Sequence, residues 1–181
     1  EDLNSLIAKY NNEGYRDAVI VSDSVYRSGP RTISIDIAID EGRRYYFGDI
    51  KWVGNTKYSA EQLNEVLKIR RGDIYNQSEM EANLNYNPNE IDISTLYLDD
   101  GYLFFSVTPV EVRVENDTID MEMRIREGKQ ATINKVIVKG NTRTNDHVVM
   151  RELRTRPGQM FSRSDIIRTT RELAQLRYFD P

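Results

Sequence analysis

Residues 52–75 read Trp-Val-Gly-Asn-Thr-Lys-Tyr-Ser-Ala-Glu-Gln-Leu-Asn-Glu-Val-Leu-Lys-Ile-Arg-Arg-Gly-Asp-Ile-Tyr, and much of this pattern returns 86 residues later. Gly54-Asn55-Thr56 recurs as Gly140-Asn141-Thr142, Leu67 as Leu153, Gly72 as Gly158, and Tyr75 as Phe161. Acidic Glu79 falls on Asp165, and Glu41-Gly42 falls on Glu127-Gly128. Tyr10…Gly14-Tyr15 matches Tyr97…Gly101-Tyr102 at an offset of 87, a one-residue slip of the kind a loop-length change produces. Self-similarity at a fixed period is the signature of a repeat architecture. The period divides the chain into the last half of one unit (1–42), a complete unit (43–128) and the first half of a further unit (129–181).

Within the complete unit, Phe47 to Val53 predicts a first strand with Ile50 and Trp52 on one face. Ser59 with Gln62 has the form of a capping box, and Leu63, Val66 and Leu67 form the apolar stripe of the helix that follows. Arg70-Arg71-Gly72 is expected to stop it. Asn76 with Glu79 caps a second helix carrying Met80 and Leu84, and Asn87-Pro88-Asn89 is expected to break it. Helix resumes over about Glu90 to Asp99, and Gly101 closes it. A hairpin follows. Its first arm, Val107 to Glu115, is expected to place Val110, Val112 and Val114 on one face and Glu111, Arg113 and Glu115 on the other. Asn116-Asp117 is the turn. Thr118 to Arg126 then sends Ile119, Met121, Met123 and Ile125 inward. Alternation of this kind gives one buried and one wet face, so the unit reads as two helices across one side of a three-stranded sheet, an α+β fold of β-α-α-β-β order. Ile33, Ile35, Ile37 and Ile39 repeat the last strand earlier in the chain. Ile133 to Lys139 repeats the first, followed by two helices, the second with Ile166, Ile167, Leu173 and Leu176.

The ordered set of Val53-Gly54-Asn55-Thr56, Arg70 to Asp73, Gly101-Tyr102-Leu103-Phe104 and Glu127-Gly128 resembles POTRA domains, the polypeptide-transport-associated repeats. The resemblance covers essentially the whole chain. Arg156-Pro157-Gly158-Gln159 stands where the complete unit has Arg-x-Gly-Asp, and the Asn-rich stretch Asn83 to Asn89 departs from the family pattern. Tandem units of this kind look like the periplasmic arm of BamA-type outer-membrane assembly factors, and Arg168 through Pro181 looks like the repeat nearest the barrel. The resemblance implies a non-catalytic arm on the periplasmic side of a Gram-negative outer membrane. Its partners would be unfolded outer-membrane proteins, accessory lipoproteins of the assembly complex and the protein's own C-terminal β-barrel. A secretion or autotransporter-assembly pore, or a structural envelope scaffold, are the alternative settings.

Three-stranded sheets present unpaired N–H and C=O groups at their edges, and an extended segment can add itself there as a further strand. In the resembled family the second strand of a unit is the open edge. Here that is Val107, Thr108, Val110, Glu111, Val112, Arg113 and Val114, with Val21 to Ser28 in the first unit. Pro109 lacks a donor and fits an edge position. Gly42 and Gly128 mark the inter-repeat joints, where short connections limit rotation.

Charge is uneven: net −4 over 1–42, −6 over 43–128 and +6 over 129–181. The basic last third could face phospholipid headgroups. The negative complete unit argues against nucleic acid, whose binding needs cationic surface. The chain has no cysteine and one histidine, His147, so neither thiolate chemistry nor a zinc site is expected. His147 reads as a surface residue at a helix start. Asp99-Asp100 are adjacent on a helix and do not face each other, so they read as helix-end polar residues rather than an acid–base pair. No cofactor is implied. No stretch reaches the length of about 18 apolar residues that a spanning helix needs. The chain opens mid-pattern on a polar helical segment, as a piece of a longer protein would.

Overall fold

A computed structural model describes residues 2–87, 91–139 and 146–175. The first helix, α1 (Asp2–Asn12), precedes a hairpin of β1 (Val19–Arg27) and β2 (Ile33–Asp40). The complete unit contains β3 (Tyr46–Val53), α2 (Ala60–Leu67), α3 (Gln77–Asn85), α4 (Ile93–Asp99), β4 (Ser106–Glu115) and β5 (Thr118–Arg126). The last segment holds α5 (Asp146–Glu152) and α6 (Arg163–Gln175).

The sheet of the complete unit has the order β3-β5-β4, with β3 parallel and β4 antiparallel to central β5. A parallel neighbour requires a crossover, and α2 to α4 supply it. Ile119, Met121, Met123 and Ile125 on β5 are buried against Phe47, Leu63, Leu67, Met80, Leu84 and Tyr97. Ile50 and Trp52 pack beside this core from the expected face of β3, and the Trp52 indole N–H donates to Asn64 Oδ1 at 2.8 Å. Asn116 and Asp117 both have positive φ, 48° and 62°, and connect Glu115 to its partner Thr118. Two left-handed central residues match the twist of the flanking strands in a tight hairpin.

Ser59 and Gln62 form the capping box of α2 in full, and Asn76 caps α3 by accepting from Glu79 N. The α2 helix ends earlier than expected: Lys68 is its left-handed cap, φ 58°, because Ile69 turns inward to 6% exposure. Arg70 to Asp73 is a separate turn. Asp73 Oδ2 accepts from Arg70 N at 2.7 Å, and Gly72 N donates to Phe47 O at 2.7 Å. The last segment repeats it: Gln159 Oε1 accepts from Arg156 N at 2.9 Å, and Gly158 N donates to Ile133 O at 2.7 Å. The recurring Arg-x-Gly-Asp/Gln motif is therefore a side-chain-closed turn that seats the entrance of the first strand.

The second helix divides, as the Asn-rich stretch predicts. The α3 helix stops at Asn85, and α4 begins at Ile93 behind its cap Asp92, not at Glu90. Three helical segments thus cover the sheet in place of two. Buried Asn83 donates to Leu67 O at 3.0 Å, which satisfies a carbonyl at the end of α2. Pro88, Asn89 and Glu90 lie outside the described residues, as do Gly140-Asn141-Thr142 and Leu176.

Two expectations fail at the half units. Ile133 to Lys139 forms no strand; the one ladder contact nearby is the isolated bridge Thr132↔Met160 just before it, matching Tyr46↔Ile74 in the complete unit. The first strand of the complete unit pairs extensively only with the last strand of that unit, and among the described residues of 129–175 there is no such strand. Likewise Ile33 and Ile35 keep the predicted alternation but are 66% and 57% exposed, where Met121, the repeat equivalent of Ile35, is 2% exposed. Among the described residues only α1 precedes this hairpin, and the apolar face does not have the helical cover that α2 to α4 give the complete unit.

Candidate functional site

With β5 in the centre, β4 has a neighbour on one side only. Its other side is an open edge, the position expected of Val107 to Glu115. The faces of this strand are not as expected. Pairing places Val107 opposite Ile125, Pro109 opposite Met123 and Glu111 opposite Met121, on the core face. Thr108 and Val110 pair with Arg124 and Glu122 on the outer face. The ladder then skips Val112 and resumes at Arg113↔Asp120 and Val114↔Ile119. One extra residue in a strand flips the side-chain alternation beyond it. The three valines 110, 112 and 114 therefore share no common face: Val110 is outer and half-buried, Val112 is at the bulge, and Val114 is at the end of the core face. Val112 and Val114 are each 50% exposed.

Glu111 is on the core side of the ladder but exposed at the sheet edge, with 34% of its side chain accessible, and it has polar partners there. Arg16, from the loop after α1, donates from Nη1 to both Glu111 oxygens at 2.9 Å. The Tyr75 hydroxyl donates to Glu111 Oε1 at 3.3 Å. Burial and the adjacent Glu111 carboxylate push the Tyr75 phenol up to about 12, against the opposing pull of Arg16. Arg16 also stands over the Tyr45 and Tyr75 rings, at 5.4 and 5.8 Å from their centroids. The open edge is thus tied, at its bulge, to the preceding half unit.

The joints recur. Tyr45 N donates to Gly14 O at 2.8 Å, and 86 or 87 residues on, Ala131 N donates to Gly101 O at 2.7 Å. Arg44 Nε donates to Glu13 O at 2.9 Å, and its counterpart Gln130 donates from Nε2 to Asp100 O at 2.9 Å. The glycine of the Gly-Tyr motif and the residue before it thus offer their carbonyls to the entrance of the next unit. Gly42 and Gly128 have φ of +67° and +75°, and an added Cβ would lie 3.3 Å from the side chains of Asp17 and Phe104 respectively. Each packs against its own unit, and the hydrogen bonds to the next unit come from residues 44, 45, 130 and 131 that follow them.

Glu127, beside Gly128, is a hub. It accepts from Thr56 N at 2.7 Å, Lys57 N at 2.9 Å, the Thr56 hydroxyl and the Tyr97 hydroxyl, the last at 3.0 Å. Burial alone would raise its carboxyl; the Thr56 hydroxyl, the two amides and the Tyr97 phenol together hold it below the ordinary value. Tyr97 is raised by burial and by this carboxylate. Tyr10 is raised first by its hydrogen bond with Glu41, so the Tyr–Glu pair repeats with the period. Both members of that pair recur in the sequence, but their pairing with each other is not expected from it. Asp99 and Arg16 carried no comparable signal. Asp99 accepts from Ser164 N at 2.8 Å and from the hydroxyls of Ser164 and Ser162 at 2.6 and 3.1 Å, so it holds the next unit. Asp100 pairs with Lys57 at 2.7 Å.

In the basic segment, Arg154 is clamped by Glu172 at 2.6 and 3.1 Å. A cleft of about 540 Å³ lies there, lined by Arg151, Arg154, Arg156 and Glu172 among others. His147 is exposed at the start of α5. Among the described residues no cluster of three or more His, Cys, Asp or Glu is arranged to hold a metal, and no helix is long and apolar enough to cross a membrane.

The POTRA family model, described as surface antigen variable number repeat, matches residues 45–128 and 131–181. The outer membrane protein assembly factor BamA of Nitratidesulfovibrio vulgaris is 31% identical over 179 residues, covering 98% of this chain and 22% of the relative. BamA of Neisseria meningitidis serogroup B is 28% identical over 184 residues, covering 99% and 22%. The chain spans about a fifth of the length of the curated relatives it matches. The crystal structure of POTRA3-5 of Haemophilus influenzae BamA superposes with a TM-score of 0.72 at 21% identity, over 99% of this chain and 69% of that one. That likeness shows the fold: tandem α+β repeats of the same architecture.

Proposed function

This chain belongs to the POTRA family, and from that premise we propose that it is part of the periplasmic polypeptide-binding arm of an outer-membrane β-barrel assembly and insertion machine. The names of the curated relatives support the setting. The observation that carries the mechanism is the open edge of β4 in a sheet whose centre, β5, is fully paired. An unfolded outer-membrane protein adds an extended strand there. Backbone hydrogen bonds supply affinity with little demand on client sequence, which suits a handler of many different strands. Thr108 and Val110 on the outer face, with Val107 and Glu111 on the inner, line the regular part of the edge. Val112, Arg113 and Val114 lie at and beyond the bulge, where the client ladder must either kink or stop.

The unit boundaries are 1–42, 43–128 and 129–181, with Gly42 and Gly128 as joints that limit rotation. Accessory lipoproteins dock on the same array, the C-terminal barrel follows it in the whole protein, and the basic 129–181 segment faces the membrane surface. The arm performs no catalysis. Site-specific photo-crosslinking from Thr108, Val110 and Val112 in the whole protein in living cells tests the edge mechanism. Adducts with unfolded outer-membrane proteins at these positions are expected. Adducts confined to other surfaces, with none on β4, would defeat it.

A further inference from the structure

The two joints share a backbone frame and differ in the side chains added to it. At the first, the additions run through the sheet end, from Arg16 to Glu111. At the second they run through the helices. Asp99, at the end of α4, sits at the N-terminus of α6 and receives three hydrogen bonds, from Ser162 Oγ, Ser164 N and Ser164 Oγ. Ser162 itself caps α6 by accepting from Asp165 N at 3.2 Å. The α6 helix therefore has a cap from its own segment and a carboxylate from the neighbouring unit, where the helix dipole favours negative charge. At the repeat-equivalent positions of the first joint stand Asn12, a neutral side chain, and Asn76 and Ser78.

Arg163, the first residue of α6, reaches the opposite way. Its Nη1 donates to the Asn85 carbonyl at 3.3 Å and meets the Thr95 hydroxyl at 3.4 Å, and its guanidinium stands 5.3 Å from the centroid of the Tyr86 ring. Its equivalent, Gln77, is spent on Glu81 within its own helix, at 2.7 Å. The Asn85 carbonyl is free to accept because α3 stops there; the last carbonyls of a helix have no partner within it. The Asn-rich stretch that departs from the family pattern thus has a local consequence: it ends α3 early and turns a carbonyl and an aromatic face toward the next unit.

We infer that Asp99 and Arg163 form a two-way clasp that locks the complete unit to the 129–175 segment, so that the two move as one body about the second joint. The clasp does not depend on which partner β4 takes, so it stands or falls apart from the client-binding reading.

The absence of cysteine lets the 181-residue chain carry unique spin-label pairs. Glu65→Cys with Arg168→Cys spans the second joint, and Ala8→Cys with Glu65→Cys spans the first. In the Asp99→Ala/Arg163→Ala background the distance distribution across the second joint should at least roughly double in width, because the bonds that the first joint also has, from Ala131 N to Gly101 O and from Gln130 Nε2 to Asp100 O, are then the main opposition to the inter-unit motion that is the default for small interfaces. The first-joint distribution should stay as it was. Unchanged width across the second joint overturns the inference, and so does equal broadening of both. Should the double variant lose the Trp52 fluorescence signature of the folded complete unit, Arg163→Ala alone decides by the same criterion, since it alters a side chain on α6 outside the core of that unit.

Discussion

Replacing Glu127 removes the group on which three parts of the complete unit converge: the turn before α2, the α4 helix and the end of β5. Glu127→Ala orphans the Tyr97 hydroxyl, on a residue with no exposed surface, and two amides, Thr56 N and Lys57 N, on exposed residues, while the Thr56 hydroxyl on its exposed residue rotates to water. The exposed amides can turn to water, so each loses about 0.5 kcal/mol, whereas the buried hydroxyl left without a partner costs about 1–3 kcal/mol; the total is about 2–4 kcal/mol. With a urea dependence of roughly 1–2 kcal/mol per molar for a small unit, the midpoint should fall by about 1–4 M. Trp52 is the sole tryptophan and lies in this unit, so its fluorescence in a urea titration reports on the complete unit alone. The pH profile supplies a second reading. Glu127 is held below its ordinary value of 4.5, so its ionised form contributes stability that is fully present above that value. The contribution is lost as pH falls through the depressed value. Wild type should therefore approach Glu127→Gln in stability on acidification below about 4.5, a convergence that follows from proton linkage. A Glu127→Ala midpoint shift equivalent to less than about 0.5 kcal/mol would refute the hub, since surface substitutions away from such features fall in that range.

Other consequences follow from the same structure. Met121→Ala should cost about 2–5 kcal/mol by opening a cavity, while Ile35→Ala, at the equivalent repeat position but exposed, should change stability by less than about 0.5 kcal/mol; paired denaturation curves, by tryptophan fluorescence and circular dichroism, decide. Ser59→Ala removes the capping box of α2 and should cost about 1 kcal/mol, read from the same Trp52 transition. Tyr75 has its phenol raised from 10.0 to about 12. The stability this represents is intact below pH 10 and is lost as pH rises toward 12, so alkaline unfolding of the unit should begin earlier in wild type than in Tyr75→Phe.

Local signals carried much of the architecture. The capping box at Ser59, the Asn76 cap, the Asn116-Asp117 turn and the inward set on β5 all follow from patterns a few residues long, and the period itself supplied their order. The edge position of β4 could be expected from the resemblance, but its faces could not. An alternating run reads as a regular strand, and nothing in Val110 to Val114 marks Val112 as the residue left out of the ladder. The residue before the bulge, Glu111, has a carboxylate that meets Tyr75 and Arg16 from distant parts of the chain.

The sequence by itself determined the repeat, its period and the type of each element in the complete unit, because periodicity, caps and tight turns are set by neighbours in the chain. Tertiary structure decided which of those elements are realised and what they touch. Ile133 to Lys139 has the composition of the first strand and forms none, because a strand needs a partner to satisfy its backbone and that partner belongs to the far end of a unit. The isoleucines of β2 have the pattern of a core and lie exposed, because burial depends on helices that come before them in a complete unit. Asp99 looks like a helix-end carboxylate in either case, and only the approach of α6 across the joint makes it an acceptor at the N-terminus of that neighbouring helix, beside the Ser162 cap.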